Sequence, residues 1–159
     1  MCMNMRRVNE AIVRERYPLP VLEDILPKFR NCKLFSTIDL AYAYHQIELD
    51  EKSREITTFV TESGLYRYKR LMFGLNCAPE MFQRILKSLL IDLEGVEHFI
   101  DDIIVFAETE EQHDYRLKQL LERLKDHGLK INSKKCMLNQ KEIVFLGFVI
   151  AGSGYRPLQ

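Results

Sequence analysis

No apolar run in the 159 residues approaches the ~20 needed to cross a bilayer as a helix. The opening "MCMNMRRVNEAIVRER" likewise lacks the apolar core of a secretory leader. Excess charge is missing too: 23 Lys and Arg balance 23 Asp and Glu, for a formal net charge of +0. No overall basic field therefore advertises a nucleic-acid partner, and any such contact must come from local patches. Cysteine is sparse and scattered, at Cys2, Cys32, Cys77 and Cys136, with no CxxC pair and no ligand-like spacing to the four histidines. That pattern argues against a zinc site or a disulfide framework and fits a reducing compartment. Low-complexity segments, internal repeats and Gly/Ser linkers are absent. What remains is 47% apolar and 29% charged, the composition of one ordinary domain with a real core. The expectation is a soluble, intracellular chain with no membrane partner.

The apolar spacing supplies the elements. "CMNM" reads as a short strand, and "YPLPVLEDILPKF" as a brief helix entered through Pro20, with Leu22, Ile25, Leu26 and Phe29 on one face. Pro27 removes a helical donor and should kink or shorten it. "KLFSTID" is a strand ending at Asp39, "HQIELD" is extended, and "ITTFVTESGLYRYKR" is a hairpin with Gly64 in the turn. "NCAPEMFQRILKSLLIDL" predicts a helix capped by Asn76, with Phe82, Ile85, Leu86, Leu89, Leu90 and Leu93 recurring at three- and four-residue spacing. A second helix runs from about Thr109 to His127. Thr109 and Gln112 suit a capping box, Leu117, Leu120, Leu121 and Leu124 line its buried stripe, and Gly128 stops it. "KEIVFLGFVIAG" is strand-like and broken at Gly147. Helices mixed with antiparallel hairpins, two helices covering one sheet face, make an α+β domain.

One stretch strains this plain picture. In "HFIDDIIVFA" two adjacent carboxylates, Asp101 and Asp102, interrupt β-branched and aromatic runs. Buried unpaired charges are costly, so the pair belongs at a hairpin turn, or beside a cation that offsets its repulsion. Asp39 closes another apolar strand in the same way. If those strand ends are neighbours, three carboxylates share one spot, and carboxylate oxygens are what a hard cation such as Mg²⁺ prefers. Two such ions about 3.5–4 Å apart can stabilise both oxygens of a phosphoryl displacement. Spacing alone leaves the adjacency open.

The ordered set "FSTIDLAYAYHQIELDE", "TTFVTESGLYRYKRLMFGLNCAPEMFQRIL", "FIDDIIVFAETEEQHDYRLKQLLERLKDHGLKINSKKC" and "KEIVFLGFVI" resembles reverse transcriptases, in the wording of gypsy-type LTR retrotransposons and their retroviral relatives. The resemblance covers nearly the whole chain. It implies a polymerase palm with part of the fingers, and an RNA-directed DNA polymerase that joins dNTPs to a primer 3′-hydroxyl on an RNA or DNA template. It implies two Mg²⁺ ions, with Mn²⁺ a possible substitute, on Asp39, Asp101, Asp102 and the Leu40 carbonyl. Ala43, Tyr44, Phe73, Gly74 and Lys135 match nucleotide-site positions, Tyr44 as the ring that excludes a 2′-hydroxyl; Lys134 shares the loop of Lys135. Phe99, Ile100, Leu146 and Gly147 match primer contacts. Arg67, Lys69 and Arg70, interleaved with aromatics in "LYRYKR", suit phosphate contact.

Several residues depart from the family pattern. Phe99 stands where tyrosine is usual, "AYAY" replaces smaller residues, Asn4 replaces an aspartate, and Pro27 interrupts a smoother helix. The resemblance also expects upstream fingers, thumb, RNase H and integrase to lie outside residues 1–159, as parts of a polyprotein. An intact element would place the chain in the cytoplasm, within a virus-like particle. Two rival readings accompany this one. A catalytically inactive relic or co-opted nucleic-acid-binding module fits the short span and "AYAY", and an RNA-templated RNA polymerase on the same palm is opposed by Tyr44.

Overall fold

Two apolar stretches, residues 34–39 and 102–107, carry β-branched or aromatic side chains on both faces, and a strand of that kind must be covered twice. The computed structural model, which describes residues 3–14 and 16–158, covers them on both sides. Its helices are α1 (Arg6–Ala11), α2 (Leu22–Ile25), α3 (Glu51–Glu55), α4 (Ala78–Leu90) and α5 (Glu110–Asp126). Its strands are β1 (Leu34–Asp39), β2 (Phe59–Thr61), β3 (Gly64–Tyr66), β4 (Val96–Phe99), β5 (Asp102–Ala107), β6 (Met137–Gln140), β7 (Glu142–Phe145), β8 (Phe148–Ala151) and β9 (Gly154–Pro157).

The central sheet is antiparallel, in the order β4-β5-β1-β6. Side chains alternate across it with period two. Ile38, Ile103 and Val105 face α4 and α5, where they meet Phe82, Leu86, Leu90, Leu120 and Leu124. Phe35, Ile104 and Phe106 face the other way, onto Ile25, Phe29 and Cys32 and onto Ile143, Phe145 and Ile150 of the β7-β8-β9 meander. The α+β expectation holds, with one addition: a second, three-stranded sheet covers the face the helices leave bare.

Local chemistry explains most element ends. Thr109 caps α5, its Oγ1 accepting the Gln112 N–H at 3.3 Å, and Gly128 follows the helix with φ +68°. Pro27 limits α2 to one turn, and the chain continues as a 3₁₀ turn over Leu26–Phe29. Gly64 (φ +126°) opens β3 immediately after the turn of the β2–β3 hairpin.

Other expectations are corrected. Met3–Met5 form no strand and lead into α1, while Met1 and Cys2 lie outside the described residues. The cap position of α4 is Cys77, not Asn76, which instead donates to Asn9. Its Nδ2 donates to the Asn9 carbonyl at 3.4 Å, and its own N–H donates to Asn9 Oδ1 at 3.0 Å. "HQIELD" is only partly extended: Ala43–Gln46 is a 3₁₀ turn, and pairing resumes at Glu48, which bridges to Arg70.

Candidate active site at the ends of β1 and β5

β1 and β5 pair over six consecutive positions, from Leu34↔Ala107 to Asp39↔Asp102. The last of these puts two carboxylates directly opposite one another, where cross-strand Cβ atoms lie about 4.5–5.5 Å apart. They share the face of Phe35, Thr37, Ile104 and Phe106, opposite the helices. Like charges in direct opposition destabilise a sheet, so this pair calls for a cation. Asp101 joins them from a tight turn: Phe99 pairs with Asp102, leaving only Ile100 and Asp101 to connect β4 to β5. The expected hairpin is present, but Asp102 belongs to the strand and only Asp101 to the turn.

Ile100 adopts φ +53°, a strained conformation for a β-branched residue. Gln83 of α4, 2% exposed, holds it there. Its Oε1 accepts the Ile100 N–H at 2.7 Å, and its Nε2 donates to the His98 carbonyl at 3.4 Å. Sequence reasoning passed over Gln83. The signal was available, since Gln83 lies three and seven residues before Leu86 and Leu90 and so shares their buried face.

Electrostatics mark the same spot. Although Asp102 as a residue is solvent-accessible, partial burial of its carboxyl raises its pKa, and the charges of Asp101 and Asp39 push the same way. Lys135 opposes them, its Nζ lying 3.8 Å from Asp39 Oδ2. Among the described residues, no three His, Cys, Asp or Glu side chains are preassembled as a metal-binding cluster. The donor set nevertheless suits a hard divalent cation: only carboxylates, mutually repelling, with one lysine ammonium already drawn to them. The Leu40–Ile131 bridge is made by Ala41 N–H to Lys130 and Asn132 N–H to Asp39, so it does not use the Leu40 carbonyl.

A cavity of about 580 Å³ opens beside the carboxylates, lined by Asp39, Leu40, Tyr42, Ala43, Phe73, Asp101, Lys134 and Lys135 among others. Tyr44 stands behind this wall, half-buried, its ring centroid 4.9 Å from Phe73 and 5.5 Å from Phe82. Burial and then the charge of Asp101 raise the pKa of its hydroxyl. Gln46, also missed from the sequence, fixes two walls at once. Its Nε2 donates to the carbonyls of Ala41 (2.6 Å) and Lys130 (2.9 Å), and its Oε1 accepts the Lys130 N–H at 2.6 Å. No local sequence signal could announce a bond between residues so distant along the chain.

The remaining expected residues divide. Leu146 and Gly147 form the β7–β8 turn, both at positive φ (+50° and +78°). Leu146 packs into the same apolar cluster as Phe99, beneath the carboxylate face. Gly74 (φ +93°) serves the fold, its carbonyl accepting from Asn9 Nδ2 at 2.8 Å. Arg67, Lys69 and Arg70 lie beyond the end of β3 and do not line the cavity. Arg67 pairs with Glu51 at 3.0 Å, Arg70 donates to the Gln46 carbonyl at 3.1 Å, and the Lys69 carbonyl accepts from Leu49.

Residues 1–150 match the family described as reverse transcriptase (RNA-dependent DNA polymerase). The retrovirus-related Pol polyprotein from transposon 297 of Drosophila melanogaster is 39% identical over 98% of this chain and 15% of its own length. That of transposon gypsy, from the same organism, is 34% identical over 97% of the chain and 15% of its length. The enzymatic polyprotein of cauliflower mosaic virus (strain NY8153) is 33% identical over 99% of the chain and 23% of its length. The chain thus spans a quarter or less of each of these relatives. Among solved structures, the foamy viral protease-reverse transcriptase in complex with RNA/DNA hybrid superposes with a TM-score of 0.88 at 28% identity, over 98% of this chain and 21% of that one. Its dRH form in complex with double-stranded DNA gives 0.89 at 28% identity, over 97% of this chain and 27% of that one. No helix among the described residues is long and apolar enough to cross a membrane.

Proposed function

The chain belongs to the reverse transcriptase (RNA-dependent DNA polymerase) family, and on that premise we propose that residues 1–159 carry the catalytic palm and part of the fingers of a retroelement polymerase. The observation that carries this reading is the Asp39↔Asp102 pairing, with Asp101 in the adjoining turn, beside a cavity that also presents two lysines. Members of this family use divalent metal ions. Here Asp39, Asp101, Asp102 and the Leu40 carbonyl would hold two Mg²⁺, with Mn²⁺ a substitute. When bound, such ions neutralise the charge that develops on the oxygens of phosphoryl transfer.

The chain's own residues then have distinct tasks. The carboxylates fix where the primer 3′-hydroxyl and the nucleotide's phosphates meet, which converts a collision into an oriented encounter. Lys135 faces the departing pyrophosphate. Ala43 and Phe73 line the nucleotide's place, Gly74 sets the turn behind Phe73, and Tyr44 supports Phe73 so that a 2′-hydroxyl meets a packed aromatic wall. Phe99, Ile100, Leu146 and Gly147 form the platform for the primer end. Arg67, Lys69 and Arg70 offer charge to the template backbone.

Its partners are a primed RNA or DNA template, dNTPs, and the RNase H and integrase segments of a polyprotein, consistent with the Pol polyprotein relatives. The same reading puts the work in the cytoplasm, within a virus-like particle. Primer extension on an RNA template with Mg²⁺, comparing deoxy- and ribonucleotides, tests it. The native chain should prefer dNTPs by at least tenfold, and Tyr44→Ala should narrow that preference. Equal use of ribonucleotides by the native chain would contradict the assignment.

A further inference from the structure

Two tyrosines follow Asp39 within five residues, and the fold treats them oppositely. Tyr44 is packed, whereas Tyr42 is 80% exposed. Its exposed ring stands inside a concave site, on the wall that carries Asp39 and Asp101. Its backbone is also strained: φ +51°, ψ +45° is the left-handed region that non-glycine residues avoid. The strain is held in place. The Tyr42 carbonyl accepts the His45 N–H at 2.8 Å, and the Gln46 amide grips Ala41 immediately before it at 2.6 Å. Local geometry that is both costly and fixed from both sides is often found at functional sites.

The rest of the cavity says what such a ring could meet. Lys134 and Lys135 line it with Tyr42, both exposed, and Lys134 has no ion pair among the described residues. An O–H donor, two ammonium groups and carboxylates suited to divalent cations together make a surface for a polyphosphate anion rather than for a base.

We infer that Tyr42 is a nucleotide-binding residue whose phenol O–H donates to the phosphate tail of the incoming nucleotide, opposite Lys134 and Lys135. The inference rests on the polymerase reading and extends it to a residue the family resemblance does not assign. It also gives "AYAY" a use, since the enlarged residue contributes a contact that a smaller one could not reach.

The test measures binding of inorganic tripolyphosphate to the chain by calorimetry with Mg²⁺ present, alongside primer extension. Tyr42→Phe removes the donor alone, and Tyr42→Gly removes the ring while relieving the backbone, so neither threatens folding. Both should weaken tripolyphosphate binding threefold to tenfold, and both should raise the dNTP KM by a similar factor with kcat within about twofold, wherever extension is seen. Unchanged binding in Tyr42→Phe, or no binding by the native chain, would overturn the role of Tyr42. Binding that depends on Tyr42 in a native chain unable to extend a primer would support that role and count against the polymerase reading alone.

Discussion

Asp39 and Asp102 are direct cross-strand partners at the ends of β1 and β5, on the sheet face away from the helices. Nothing in the fold requires two acidic side chains at this register. The five pairs before them join apolar or hydroxyl-bearing residues, as sheet packing favours. Placing two carboxylates side by side costs stability unless a cation answers them. That cost is what makes the pair a statement about function.

The cost can be read as a pH dependence. Burial, Asp101 and Asp39 raise the Asp102 pKa in the folded chain above its ordinary 3.8. The folded state therefore holds the proton more tightly than the unfolded one. The stabilisation this gives is complete below 3.8 and is lost as pH rises through the folded pKa. At neutral pH, Asp102→Asn should thus raise Tm in the absence of divalent ions, by no more than about 2 °C because solvent screens an accessible group. Adding Mg²⁺ should raise Tm in the native chain and do less in the variant. Thermal melts at pH 4 and pH 7, with and without Mg²⁺, check both signs. A variant less stable than native at pH 7 without Mg²⁺ would contradict the argument.

Gln46 should matter beyond its size. Its amide bonds to Ala41 and Lys130, so it ties the loop after Asp39 to the segment that leads to Lys134 and Lys135. Gln46→Ala leaves those backbone groups to water and should cost about 1–2 kcal/mol in urea unfolding. Gln46→Glu keeps the shape but turns a donor into an acceptor facing two carbonyls, and should cost at least as much at neutral pH. In primer extension both variants should show a higher dNTP KM. A stability loss with unchanged KM would mean that the tie serves the fold alone.

The sequence and the structure agree where the information is local. The α5 cap at Thr109, its stop at Gly128, the shortening at Pro27 and the turn at Gly147 each follow from one residue's chemistry. Disagreement arises where a distant partner intervenes. Asn76 looks like a cap until its amide and backbone N–H are tied to Asn9, and residues 45–46 look extended until Gln46 finds Lys130. The three aspartates could be singled out as chemically odd, but only the non-local pairing of β1 with β5 shows which two face each other. Ile100 and Tyr42 were unreadable for another reason: neither residue type favours left-handed backbone, so their conformations are imposed by the surrounding hydrogen bonds.

The most direct test of the central claim is primer extension on an RNA template with Mg²⁺ and dNTPs, run with the native chain beside an Asp101→Asn, Asp102→Asn double variant, both shown to be folded. The account predicts incorporation by the native chain and a loss of at least about 100-fold in the variant, the scale expected when transition-state charge loses its electrostatic support. Equal incorporation by the two, or none by a folded native chain, would contradict it.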